Sequence, residues 1–108
     1  SRTRREVYPE GVSQRNEIMK GEVVTLVTVL GEIVGRLKES DFETVTLSDP
    51  RLFVQQDDGA GFAPGICMTG ESKPDELVFR QNAILAIVPT HADLIKGWSQ
   101  ATSGIVLQ

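Results

Sequence analysis

Hydrophobic and polar residues do not follow one rhythm along this chain. From Val23 to Leu30 nearly every position is β-branched or aliphatic (Val23-Val24-Thr25-Leu26-Val27-Thr28-Val29-Leu30). Such a run predicts a strand covered on both faces. Gly31 interrupts it, and Glu32 to Lys38 then alternates. Ile33, Gly35 and Leu37 fall on one face; Val34, Arg36 and Lys38 fall on the other. Two extended runs around a short glycine-containing break predict a hairpin. Gly35 inside the second run marks a bend or a close backbone approach. Ser40-Asp41 reads as a turn, with Asp41 in a structural role, because an aspartate there can accept hydrogen bonds from nearby backbone N–H groups. Phe42 to Leu47 alternates again, Ser48-Asp49-Pro50 predicts a break or bulge, and Leu52-Phe53-Val54 continues the extended run.

Residues 55–76 carry five acids (Asp57, Asp58, Glu71, Asp75, Glu76), one lysine and most of the local glycine and proline. This predicts a long loop, with Ile66-Cys67-Met68 as a short returning strand. Leu77-Val78-Phe79-Arg80 and Ala83 to Val88 predict two more strands around a tight corner at Gln81-Asn82. Pro89-Thr90-His91-Ala92-Asp93 opens a helix, and Thr90 with Asp93 has capping-box spacing. Leu94, Ile95 and Trp98 form its apolar stripe. Ile105-Val106-Leu107 is expected as an edge strand. Ahead of the strands, Pro9 and Gly11 break any pattern, and Ser13 is placed to cap a short helix through Met19. The expected fold is mostly β: a small, strongly bent five-stranded antiparallel barrel with short terminal helices. Its organisation is an N-terminal arm (1–20), a barrel (21–89) containing the 55–76 loop, and a helix with tail (90–108).

A chain of 108 residues predicts one domain. Hydrophobic residues at 40% and charged residues at 24% exclude a wholly disordered or collagen-like chain. The apolar runs are far shorter than the roughly 18 residues of a membrane span, and Ser1-Arg-Thr-Arg-Arg has no apolar stretch behind it to read as a signal peptide. Cys67 is the sole cysteine, which excludes an internal disulfide and makes a cytoplasmic setting the expectation. The formal charge is −4. The first twenty residues are basic (Arg2, Arg4, Arg5, Arg15 and Lys20 against three acids) and the remainder is acidic. An acidic body grips phosphate backbones poorly unless basic points are local.

Catalytic patterns are sparse, so the chain reads as a non-enzyme without cofactor or metal. His91 is the one histidine and sits at a helix start. Gly59-Ala60-Gly61-Phe62 resembles part of a phosphate loop but lacks the lysine and the helix that such a loop needs, and it reads as flexible loop. Asp57 and Asp58 lack EF-hand spacing.

Two stretches carry a resemblance. Gly21-x-Val23-Val24-x-Leu26, followed by Gly31-x-Ile33-x-Gly35-x-Leu37-x-x-x-Asp41, resembles the first signature of the Sm-like (LSm) family. Val78-Phe79-Arg80-Gln81-Asn82-Ala83-Ile84-Leu85-Ala86-Ile87 resembles the second. The chain departs from the pattern at Thr44, where the family has asparagine, and at Gln81, where it has glycine; it looks like a divergent branch, such as a phage-encoded one. The resemblance implies a closed homo-oligomeric ring, pentamer to heptamer, in which the fourth strand of one subunit pairs with the fifth of the next. Val78, Phe79, Ile84, Leu85 and Ile87 would then line the contact. It also implies single-stranded RNA as partner, in an RNA-chaperone or RNA-processing role, bound by Phe42, Thr44, Arg80, Gln81 and Asn82, with no membrane involved. In residue terms Phe42 can stack on a base, Arg80 can stack or meet phosphate, and Gln81 or Asn82 can read a base edge. The bland alternatives are a core aromatic at Phe42 and an Arg80–Asp41 pair. The rival function is a ring-shaped structural or protein-interaction module without RNA binding, using the acidic loop and the Trp98 helix as contact surfaces.

Overall fold

A computed structural model describes residues 18–103. Six strands and one helix follow in order: β1 (Val23–Thr28), β2 (Gly31–Ser40), β3 (Thr44–Gln56), β4 (Gly59–Phe62), β5 (Glu76–Arg80), β6 (Ala86–Pro89) and α1 (Ala92–Thr102), with a 3-10 turn at Gln81–Ala83 between β5 and β6. All pairings are antiparallel. The sheet runs β4-β3-β2-β1-β6, and β5 borders the first half of β3. Among the described residues the sheet does not close: β5 pairs with β3 alone and β6 with β1 alone. The expected five-stranded barrel is therefore a bent six-stranded open sheet.

The expected hairpin forms around Val29-Leu30, with Val24 opposite Gly35 and Leu26 opposite Ile33. Both faces of β1 are covered. On one face Val24, Leu26, Ile33, Leu37, Val45 and Leu47 form a buried core, flanked by Leu52, Ile66, Phe79, Ile84 and Ile87. Burying each such side chain contributes roughly 1.5–3 kcal/mol. On the other face Val23 and Val34 pack against Trp98 of α1.

The sheet bends where Gly35 and the Ser48-Asp49-Pro50 stretch meet. Val34 pairs with Arg51 and Arg36 with Ser48, so Asp49 and Pro50 stand against Gly35 alone. This is a bulge of one extra residue. Asp49 takes a left-handed φ of 52°, and a Cβ on Gly35 would meet Leu47 at 3.0 Å and the Ser48 carbonyl at 3.1 Å. Only glycine permits that approach without displacement. A second register shift falls between Leu37 and Glu39.

Other expectations change as well. Residues 59–62 are not loop but strand: β3 and β4 form a hairpin around Asp57-Asp58, with Gly59 at φ 135°. Phe53 and Phe62, paired across it, meet edge to face with centroids 5.3 Å apart. Ile66-Cys67-Met68 is irregular, although Ile66 packs against the core. The segment after β4 is instead tied down by Leu52, which donates to the Gly65 carbonyl and accepts from the Ala63 N–H, and by buried Arg51, whose Nη1 donates to the Pro50 and Pro74 carbonyls. Finally, Thr90 does not cap α1. Its hydroxyl bonds that of Thr25, and His91 is the N-cap, its Nδ1 accepting from the Asp93 N–H at 3.1 Å. Of the expected N-terminal helix, Ile18 and Met19 are described and are not helical. The rest of it, the basic arm before Lys20 and the 105–107 strand lie outside the described residues.

Candidate functional site

The turn between β2 and β3 is organised by one carboxylate. Oδ1 of Asp41 accepts from the backbone N–H of Glu43 (2.8 Å), from that of Thr44 (2.8 Å) and from the Thr44 hydroxyl (3.2 Å). This is the aspartate turn geometry in which a side chain replaces a missing backbone partner. The backbone bond from Thr44, then that from Glu43, holds the Asp41 carboxyl below its ordinary value, because each favours the charged form. The Asp41 N–H in turn donates to the Thr44 carbonyl.

So pinned, the turn turns Phe42 outward: its side chain is 94% exposed. It is not a core aromatic. An exposed ring is not by itself unusual; what sets Phe42 apart is the company it keeps at the neighbouring corner.

The β5–β6 corner comes up against this turn. Thr44 is paired with Arg80 in the sheet. The Gln81 N–H donates to the Glu43 carbonyl at 2.9 Å, and Gln81 Nε2 donates to the Asp41 carbonyl at 2.9 Å and to Ser40 Oγ at 3.5 Å. The two loops, some forty residues apart, become one unit. Between them lies an open hollow of about 310 Å³ lined by Phe42, Glu43, Arg80, Gln81 and Asn82. Four of the five expected ligand-binding residues line it together. Thr44 lies beside it, its hydroxyl engaged with Asp41. Arg80 makes no ion pair with Asp41; among the described residues its guanidinium is in no ion pair.

Glu43 is the lining residue that sequence reading passed over. The signal was its place directly after Phe42 in a four-residue turn, where a side chain beside the aromatic must share its hollow.

The residues expected at a subunit contact divide in two. Val78 and Leu85 are 63% and 70% exposed. Phe79, Ile84 and Ile87 pack instead against the flank of the core. Ile84 and Leu85 precede β6 rather than belonging to it, although the Leu85 N–H already donates to the Val27 carbonyl. Along the sheet margin, Lys38 and Glu76 form an exposed ion pair, and hydrogen bonding and attraction from Glu76 raise the Lys38 ammonium above its ordinary value.

Other hollows lie around the segment after β4. The one lined by Ile66, Cys67, Gly70, Glu71, Pro74, Asp75, Glu76 and Leu77 holds about 490 Å³. It has three carboxylates and neither a cation nor an aromatic ring, so it offers a nucleotide neither stacking nor a phosphate contact. Trp98, offered by the rival reading as a contact surface, is 3% exposed. Among the described residues no three His, Cys, Asp or Glu side chains converge as metal ligands, and no helix is long and apolar enough to cross a membrane. Compared with family models and with curated proteins, the chain matches none.

Proposed function

We propose that this chain is an Sm-like, ring-forming protein that holds single-stranded RNA, in an RNA-chaperone or RNA-processing role. The observation that carries the reading is the outward-facing Phe42 ring sharing one hollow with Arg80, Gln81 and Asn82. A base stacked on such a ring gains about 1–3 kcal/mol. A guanidinium beside it can meet the phosphate, and the Asn82 amide and the Gln81 Oε1 can read the base edge. The ring draws support from the two open margins. Among the described residues β5 and β6 each leave one edge without a strand partner, and Val78 and Leu85 stand exposed beside them. Apolar edges of this kind invite pairing with another chain, and head-to-tail pairing of β5 with β6 that closes on itself removes both of these. Pairing β5 of one copy with β6 of the next would place successive hollows around one circle.

Two measurements test the reading. Fluorescence anisotropy with labelled oligo-U and oligo-A at low and moderate salt is expected to show saturable binding at micromolar protein. The combined Phe42→Ala and Arg80→Ala variant is expected to lose it by tenfold or more. Absence of binding, or a double variant that binds as well as the parent, overturns the RNA role. Native mass spectrometry is expected to give a discrete oligomer, and a monomer overturns the ring.

A further inference from the structure

We propose that Glu43 makes this hollow selective for guanine. The inference rests on reading the hollow as a nucleotide pocket and adds which base it takes.

The hydrogen-bonding groups of the pocket are unequal. Gln81 Nε2 is engaged with the Asp41 carbonyl and Ser40, which leaves Gln81 Oε1 as an acceptor only. The Glu43 carboxylate is exposed, and among the described residues it has neither a hydrogen-bond donor nor an ion-pair partner, although Arg80 lines the same hollow. The Glu43 main chain is fixed: its N–H is held by Asp41 and its carbonyl by the Gln81 N–H. Glu43 therefore springs from a fixed stretch of backbone, and its carboxylate, with both oxygens unclaimed among the described residues, lines the same hollow as the exposed Phe42 ring. Arg80 and the Asn82 amide, likewise without partners among the described residues, supply donors.

A carboxylate accepts best from two N–H groups side by side. Guanine alone among the four RNA bases presents that pair, N1–H and N2–H, on its Watson–Crick edge. Uracil presents one N–H between two carbonyl oxygens, so one of those oxygens would face the carboxylate. Adenine and cytosine each present one amino group next to a ring nitrogen that is itself an acceptor. The guanine O6 beside N1 needs a donor, which Arg80 or Asn82 supplies, while Phe42 takes the base face. A two-bond contact of this type discriminates roughly 5- to 150-fold between bases.

The test uses the full chain and uridine nonamers carrying a single central G, inosine, A or U, titrated by anisotropy at one fixed salt. The G nonamer is expected to bind about tenfold or more tightly than the all-U and A nonamers. Inosine keeps N1–H but lacks the N2 amino group, so it should lose most of that advantage. In Glu43→Gln, shown by circular dichroism to keep its β spectrum, the G-to-U affinity ratio is expected to fall to about one while all-U affinity rises, because the repulsion from a carboxylate is gone. Equal affinity of the parent protein for all four nonamers overturns the inference and leaves the RNA reading standing. So does a G preference that survives Glu43→Gln. If the parent binds none of the four, both readings fall.

Discussion

One face of the sheet is closed by the strands' own aliphatics, Val24, Leu26, Ile33, Leu37, Val45 and Leu47, whereas the other is closed by a helix that reaches it through Trp98. The first face is redundant: six side chains from three strands share the burial, and none carries a polar atom. The second concentrates its contacts. Trp98 packs on Val23 and Val34, donates its indole N–H to the Asp49 carbonyl at 2.9 Å, and receives the Arg36 guanidinium 5.4 Å from its ring centroid. A distributed face resists loosening as a whole. A concentrated one can be released by a single change, with the sheet left in place.

That contrast can be broken most forcefully at Leu47. Leu47→Ala empties part of the redundant face and is expected to cost about 2–5 kcal/mol, read as a drop in the urea midpoint with strand and helix signals moving together. If the helix signal were lost first, the two faces would not divide as described. Trp98→Phe comes next. It keeps a ring but strands the Asp49 carbonyl, at an expected cost of about 1–3 kcal/mol. Here hydrogen exchange should rise in α1 well before it rises in β1 and β2, and uniform exchange would contradict the concentrated anchor.

The smallest effect is that of pH, since neither face is built on a titrating group. The groups with shifted titration lie on the margins. Asp41 is lowered in the folded chain, so its contribution is present above the ordinary aspartate range and is lost as pH falls below about 4 toward the folded value. Lys38 is raised, so its contribution is present below the ordinary lysine value of about 10.4 and is lost as pH rises through the folded one. Both groups are exposed, so the thermal midpoint should stay nearly flat between pH 7.5 and 9. A Tm that moves by several degrees within that window would implicate a face rather than the margins.

Much of this division is readable in the residues. The uninterrupted Val23–Thr28 run announces a strand covered twice over, and the alternation around Gly35 announces the hairpin and its bend. β4 could not be read the same way. Gly59-Ala60-Gly61 has too little side chain to alternate, and its pairing is set by Phe62 finding Phe53 and Gly97 of α1. The cap of α1 misleads because Thr90 has the right spacing to Asp93, yet a tertiary partner, Thr25, engages its hydroxyl. The hollow was half legible. Phe42, Arg80, Gln81 and Asn82 are marked by their place at two predicted corners. That those corners share a wall depends on long-range bonds from Gln81, and Glu43 joins them only because of that docking.

The surplus residue at Asp49 and Pro50 has a reach beyond the strand that carries it. Delete Asp49, and the pairing of β3 with β2 across Gly35 would become even; the same deletion would withdraw the carbonyl on which the indole is hung. Curvature and helix attachment are therefore inherited together. A descendant of this chain could not straighten the sheet and keep the helix where it lies.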